Sequence, residues 1–185
     1  MFTYEIEQDS DPIDPRVDFD SAAIMACWHP RYDLGDAKKF WACPEDPEDF
    51  VAWAEREGVV YLDLYLYDHS GLRMNTTGFS CPWDSGQVGY IYMAKKQVIQ
   101  EWGSLDIKRA EEYMRAEVDT YNMYLSGDVW GYIIRDSDGE EVDSCWGFYG
   151  HDHCEEEAKE QVAYYEEHTP KQYELPSMEN GHGLP

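Results

Sequence analysis

The stretch "VVYLDLYLYDHSGLRMNTT", residues 59–77, restricts the fold more than any other part of this chain. Val60, Leu62, Leu64 and Leu66 alternate with Tyr61, Asp63, Tyr65 and Tyr67. A two-residue period puts the first set on one face of a strand and the second on the other. The aliphatic face needs a core to rest on. Asp68 to Gly71 then reads as a turn into a partner strand, so the chain is expected to build an antiparallel sheet with one buried face.

Further strands follow the same logic. Phe2 to Glu7 is a short candidate, after which Pro12 and Pro15 break regular structure. Gln87 to Met93 alternates again. Val129 to Arg135 and Glu140 to Trp146 form a hairpin pattern around "DSDG", where Asp138 and Gly139 suit a turn with positive φ. "SAAIMACW" is apolar enough for a buried strand or a short helix, and periodicity does not separate the two.

Between these lie helical patterns. Asp46 can cap and Pro47 suits a first helical position, while Phe50, Trp53 and Ala54 share a face that ends at Gly58. A helix near Lys95 to Trp102 precedes a longer one, whose stripe runs through Ile107, Ala110, Met114, Val118, Tyr121 and Leu125 and stops at Gly127. The last helix, about Cys154 to Glu167, has Asp152 and Glu155 spaced as an Asp version of the capping box. The expected architecture is α+β: one domain over residues 1–168, an antiparallel sheet of four or more strands with helices packed on one face, and a loose C-terminal tail over 169–185.

Charge is the other strong feature. Asp and Glu number 39 against 14 Lys and Arg, a net charge of -25, yet 15% of residues are aromatic. So many apolar side chains belong to a folded chain, not a disordered one, and place the acidity on its surface. The excess is uneven: residues 111–185 hold -15, residues 1–20 hold -6, and residues 21–110 only -4. Such a balance opposes direct binding to nucleic acid or anionic membrane, and favours basic protein surfaces. No apolar run is long enough to span a bilayer, no signal peptide is evident, and five irregularly spaced cysteines fit reduced thiols, so a cytoplasmic setting is expected.

Three clusters carry the residue types of chemistry. Cys81 or Cys145, with His69 as base and Asp68 or Asp84 to orient it, would make a nucleophilic site, although no spacing joins them and a strongly negative surround disfavours a thiolate. His151, His153 and Cys154 of "HDHC" lack the paired spacing of a strong zinc motif, and are expected on the loop that starts the last helix with Cys154 facing the core. "DSDGEEVDS" has acids but not the EF-hand order, and a hairpin turn explains it better. No cofactor or metal is assigned. "SCPWDSG" and "DSCWGFYG" share Ser-Cys followed closely by Trp and Gly, and read as aromatic corners feeding strands.

Taken together, "CWHPRYDLGD", "YLYDHSG", "FSCPWDSGQVGYIY" and "GDVWGYIIRDSDGEEVDSCWGFYG" resemble a group of small acidic proteins encoded by phages and mobile elements, over roughly residues 3–165. The resemblance brings no catalytic residues. It implies a setting in which small acidic proteins often inhibit host defence. The expected function is therefore an inhibitor acting by occupancy in the host cytoplasm, not an enzyme. Its acidic surface would mimic nucleic acid and block a basic groove of a restriction or CRISPR effector. The acidic residues expected to serve are Glu111, Glu112, Asp136, Asp138, Glu140, Glu141, Glu155, Glu156, Glu160, Glu166 and Glu167. Trp83, Asp84, Trp130 and Trp146 would add partner-specific contacts. The alternatives are a cysteine-dependent hydrolase or transferase, and a small-ligand or metal-binding accessory protein.

Overall fold

The computed structural model describes residues 1–169, so the expected tail lies outside the described residues from 170 onward. In chain order the strands and helices are β1 (Thr3–Gln8), α1 (Pro15–Asp18), β2 (Ile24–Cys27), α2 (Phe50–Glu57), β3 (Val59–Asp68) and β4 (Leu72–Asn75). They continue with β5 (Ser85–Ala94), α3 (Lys95–Trp102), α4 (Ile107–Ser126), β6 (Val129–Arg135), β7 (Glu141–Tyr149) and α5 (His151–His168). The α+β class and antiparallel pairing are as expected, but the strands divide between two sheets, ordered β2-β5-β3-β4 and β1-β6-β7.

The alternation in β3 does what its period dictates. Val60, Leu64 and Leu66 are buried, and they share a core with Ala110, Met114, Val118 and Tyr121, the stripe of α4. The opposite face of this sheet is also covered, which the expectation of helices on one face did not include. Tyr61, Tyr90 and Tyr92 meet α2 there, and Phe50 stacks on Tyr90 with ring centroids 3.9 Å apart. Asp46 accepts a hydrogen bond from the Glu48 N–H in a short 3₁₀ turn before α2, and Gly58 ends the helix in the left-handed region.

In the second sheet β1 returns to pair with β6, Tyr4 opposite Ile134. Helix α5 crosses one face and closes a smaller core of Tyr132, Ile134, Cys154 and Ala158. The other face is covered at its base, where Tyr149 meets Phe19 edge-on and its hydroxyl donates to the Ile13 carbonyl. Toward the hairpin tip that face presents Glu5, Arg135, Glu141 and Trp146.

The two sheets join at the end of α4. Gly127 stops the helix with φ 72°, and the Asp128 N–H donates to Met123 O at 2.8 Å. Asp128 then receives the Gly150 N–H on its carbonyl, while its carboxylate takes the Trp130 indole N–H at 2.6 Å and the His151 N–H at 3.3 Å. The cap of α5 is thus supplied from 23 residues away. Asp152 and Glu155 form no capping box: the helix starts three residues earlier than expected, at His151, with Gly150 in the cap position.

A buried ion network fastens the entry segment to the four-stranded sheet. The Arg16 side chain is 2% exposed and meets Asp36 at 2.7 Å and Glu117 at 2.6 Å. The same Asp36 carboxylate accepts the Met25 N–H of β2. Burial alone would lower the Arg16 pKa, but the pairs with Asp36 and Glu117 outweigh it and hold the guanidinium above its ordinary value.

Candidate functional site

Among the described residues, α5 carries a dense display of exposed carboxylates. Its Cys154 and Ala158 are fully buried, which fixes the rotation of the helix. With that stripe inward, Asp152, Glu156 and Glu160 follow at four-residue spacing along the outward side, and Glu167 continues the line two turns later. All four are exposed. Glu157 and Glu166 flank this line and are also exposed. The one lysine of the helix, Lys159, is engaged with Glu155 at 3.1 Å.

Glu155 belongs to the attachment of the helix as much as to its surface. It accepts hydrogen bonds from Lys159 and from the Tyr4 hydroxyl of β1, which hold its carboxyl below the usual carboxylate range. Lys159 is raised in return by its bond to Glu155.

The β6–β7 hairpin extends the same acidic unit. Asp138, Glu140 and Glu141 are exposed at its tip, and Gly139 alone supplies the positive φ, at 82°. Asp138 does not adopt the positive φ expected of it. Asp136 is turned inward: its Oδ1 accepts the N–H groups of Asp138 and Glu140 and so shapes the turn, leaving no calcium-loop geometry. Asp143 is bound by Gln161 of α5 at 2.9 Å, which locks hairpin and helix together.

The expected acidic face is therefore only partly one surface. Asp138 and Glu140 stand at the hairpin tip and Glu155, Glu156, Glu160, Glu166 and Glu167 on α5, two elements tied by the Asp143–Gln161 bond, whereas Glu141 lies on the sheet face turned away from α5. Glu111 and Glu112 lie in the first two turns of α4, roughly 22 Å along the helix from Gly127 at 1.5 Å per residue. They are paired within their own helix, Glu111 with Arg115 and Glu112 with Lys108, both at 3.4 Å. Sequence reasoning counted their charge but not these partners.

The aromatic candidates separate as well. Trp83 is 92% exposed on the loop before β5, in the four-stranded sheet. Trp146 is 44% exposed on β7, where its ring lies over Gly131. Trp130 is not a free contact residue, since it packs against His151, donates to Asp128 and borders the α5 core.

The proposed catalytic residues meet only in part. Cys81 Sγ donates to Asp84 Oδ2 at 3.3 Å, and His69 Nδ1 stands 3.6 Å from the same oxygen. The carboxylate sits between thiol and imidazole, so the thiol proton points to Asp84 and not to the base that a nucleophile requires. Asp68 pairs with Arg31 instead. Cys145 lies on the other sheet and is exposed.

His151 and His153 stand in the first turn of α5, not on a loop, edge-on to Trp130 and Phe148 respectively. Cys154 points away from them into the core, where burial and the nearby Cys145 push its thiol up to about 11. Among the described residues no group of three His, Cys, Asp or Glu side chains is placed to hold a metal ion. None of the described helices is long and apolar enough to cross a membrane. No family model matches the chain, and neither the curated proteins nor the solved structures contain a significant match to it.

Proposed function

We propose that this chain is a binding inhibitor whose α5–hairpin unit occupies a basic groove on a nucleic-acid-binding protein, its carboxylates standing in for phosphates. The observation that carries this reading is the outward line Asp152, Glu156, Glu160 and Glu167 on a helix whose single lysine is already paired. The six exposed acids of α5 compete over roughly 22 Å of axis with the ~13 phosphates that duplex DNA carries over the same length. A protein groove contacts one side of a duplex, so the two charge densities are comparable where they are read. In a phage or mobile-element setting, a restriction or CRISPR effector is the partner such a surface would serve. The exposed Trp146, on the hairpin face turned away from α5, would add an apolar contact for a partner that reaches round the hairpin.

Immobilised protein exposed to host extract should retain a basic nucleic-acid-binding protein. Duplex DNA should compete for it, and retention should fall at least tenfold between about 50 and 200 mM salt. Replacing Glu156, Glu160 and Glu167 with Gln should weaken retention about tenfold or more, whereas Gln at Glu111 and Glu112 should change it less than twofold. Retention that ignores salt and both sets of substitutions would discard the reading.

A further inference from the structure

Two lysines stand where local physics argues against them. Lys95 and Lys96 open the first turn of α3, behind an Ala94 cap that offers no side-chain acceptor. That turn favours acids and disfavours cations. A chain with 39 acids and 14 bases has acids to spare, yet uses two bases here. Among the described residues neither lysine has a carboxylate within 4.0 Å. A local conflict without a local compensation points to a function.

Both lysines line a cavity of about 600 Å³, at the end of the four-stranded sheet where β5 passes into α3 and α2 passes into β3. This size lies within the roughly 300–1,000 Å³ of small-molecule sites. Trp53 and Tyr92 give it an aromatic wall, with Ile24 and Val59 adding aliphatic surface. Tyr92 is held as a neutral phenol, because burial and its neighbour Cys43 raise its pKa by more than the Ala42 N–H, accepted by its oxygen at 3.0 Å, lowers it.

The cationic edge is positioned by the fold. The Lys95 N–H donates to Gly58 O at 3.1 Å, and the Lys95 stem passes over Gly58, its Cδ 3.7 Å from where a Cβ would stand. Gln97 is fixed on the other side by its bond to Ala22 O at 2.6 Å. One carboxylate, Glu57, also lines the cavity, but it is paired with Arg56 at 3.0 Å. The protein's net negative charge does not decide the outcome here, since exposed charges beyond about 8 Å are largely screened at physiological salt.

We propose that this cavity binds a small organic anion, with its apolar or aromatic body against Trp53 and Tyr92 and its phosphate or carboxylate head on Lys95 and Lys96. The site is independent of the acidic α5–hairpin face. Calorimetric titration of the full chain with adenosine 5′-monophosphate and with indole-3-acetate distinguishes the two head groups, with inorganic phosphate and adenosine as head-only and body-only probes. At least one of the first two should bind, at least tenfold tighter than either fragment. Lys95→Gln with Lys96→Gln should weaken that binding tenfold or more at unchanged melting temperature, while Gln at Glu156, Glu160 and Glu167 should leave it intact. No binding of either anion at millimolar concentration, or equal binding by the double lysine variant, would overturn the proposal.

Discussion

The two sheets of this protein use similar elements to opposite ends. The four-stranded sheet is covered on both faces, by α4 on one and by α2 with its aromatic cluster on the other. It holds an internal ion network, with Arg16 buried between Asp36 and Glu117. The three-stranded sheet is covered by α5 on one face and closes a core of only four buried residues. Its charges point outward and are mostly of one sign. A layer that is closed on both sides builds stability, and one that is closed on one side is free to display a surface.

The largest expected effect comes from opening the closed side. Arg16→Ala would leave Asp36 and Glu117 facing each other, each 11% exposed, with no counter-charge. Removing one partner from a buried ion pair costs about 3–5 kcal/mol. In a chain of this length that lowers the melting temperature by roughly 10 °C. A shift under about 2 °C would mean that the entry segment is not integral to the four-stranded layer, and the contrast between the sheets would weaken.

A matched pair of glycines sharpens the comparison. A Cβ on Gly89 would stand 2.0 Å from the Ala26 carbonyl oxygen and 2.9 Å from Cys27 Cα, both backbone atoms of the neighbouring strand. A Cβ on Gly131 would stand 2.2 Å from the Trp146 ring, which is half exposed and can swing outward, and 2.9 Å from the Cys145 carbonyl oxygen, a milder backbone clash than the 2.0 Å at Gly89. Gly89→Ala should therefore cost about 3 kcal/mol or more, and Gly131→Ala about 1 kcal/mol, as read by urea unfolding. Gly131→Ala should also make Trp146 more accessible to an aqueous fluorescence quencher. Equal costs at the two positions would show that the open face is packed as tightly as the closed one.

The features legible in the sequence are those set by neighbours along the chain. The period of two in Val60 to Tyr67, the helical stripe from Ala110 to Tyr121, and the stops at Gly58 and Gly127 all reappear in the structure. Features set by distant residues were not legible. β1 finds its partner some 130 residues away, which is why the strands form two sheets and not one. Arg16, Asp36 and Glu117 have no sequence relation, and Asp128 caps α5 from across a hairpin. The acidic site was half legible for the same reason. Net charge by segment located α5 and the hairpin tip, but the ion pairs of Glu111 and Glu112 and the inward turn of Asp136 depend on geometry. A simple i, i+4 reading of Lys108 and Arg115 would have found the two pairs on α4.

The smallest expected effect tests whether the two layers unfold as one domain, and it uses one buried thiol from each. Burial, with a contribution from Asp36, pushes Cys27 in the four-stranded layer up to about 12, against an ordinary thiol value of 9.0. Cys154 in the other layer is pushed up to about 11. Both folded values lie above the unfolded one, so stability is fully present below about pH 9. It is then lost as pH rises toward 11 and 12, because the unfolded chain releases protons that the folded chain retains. At pH 10 this amounts to roughly 1 kcal/mol per thiol. Between pH 8 and pH 10, urea unfolding should show one transition whose midpoint falls, with Cys27→Ala and Cys154→Ala each removing a similar share of the fall. Two transitions, each responding to its own cysteine, would mean that the acidic layer folds and unfolds apart from the layer that carries it.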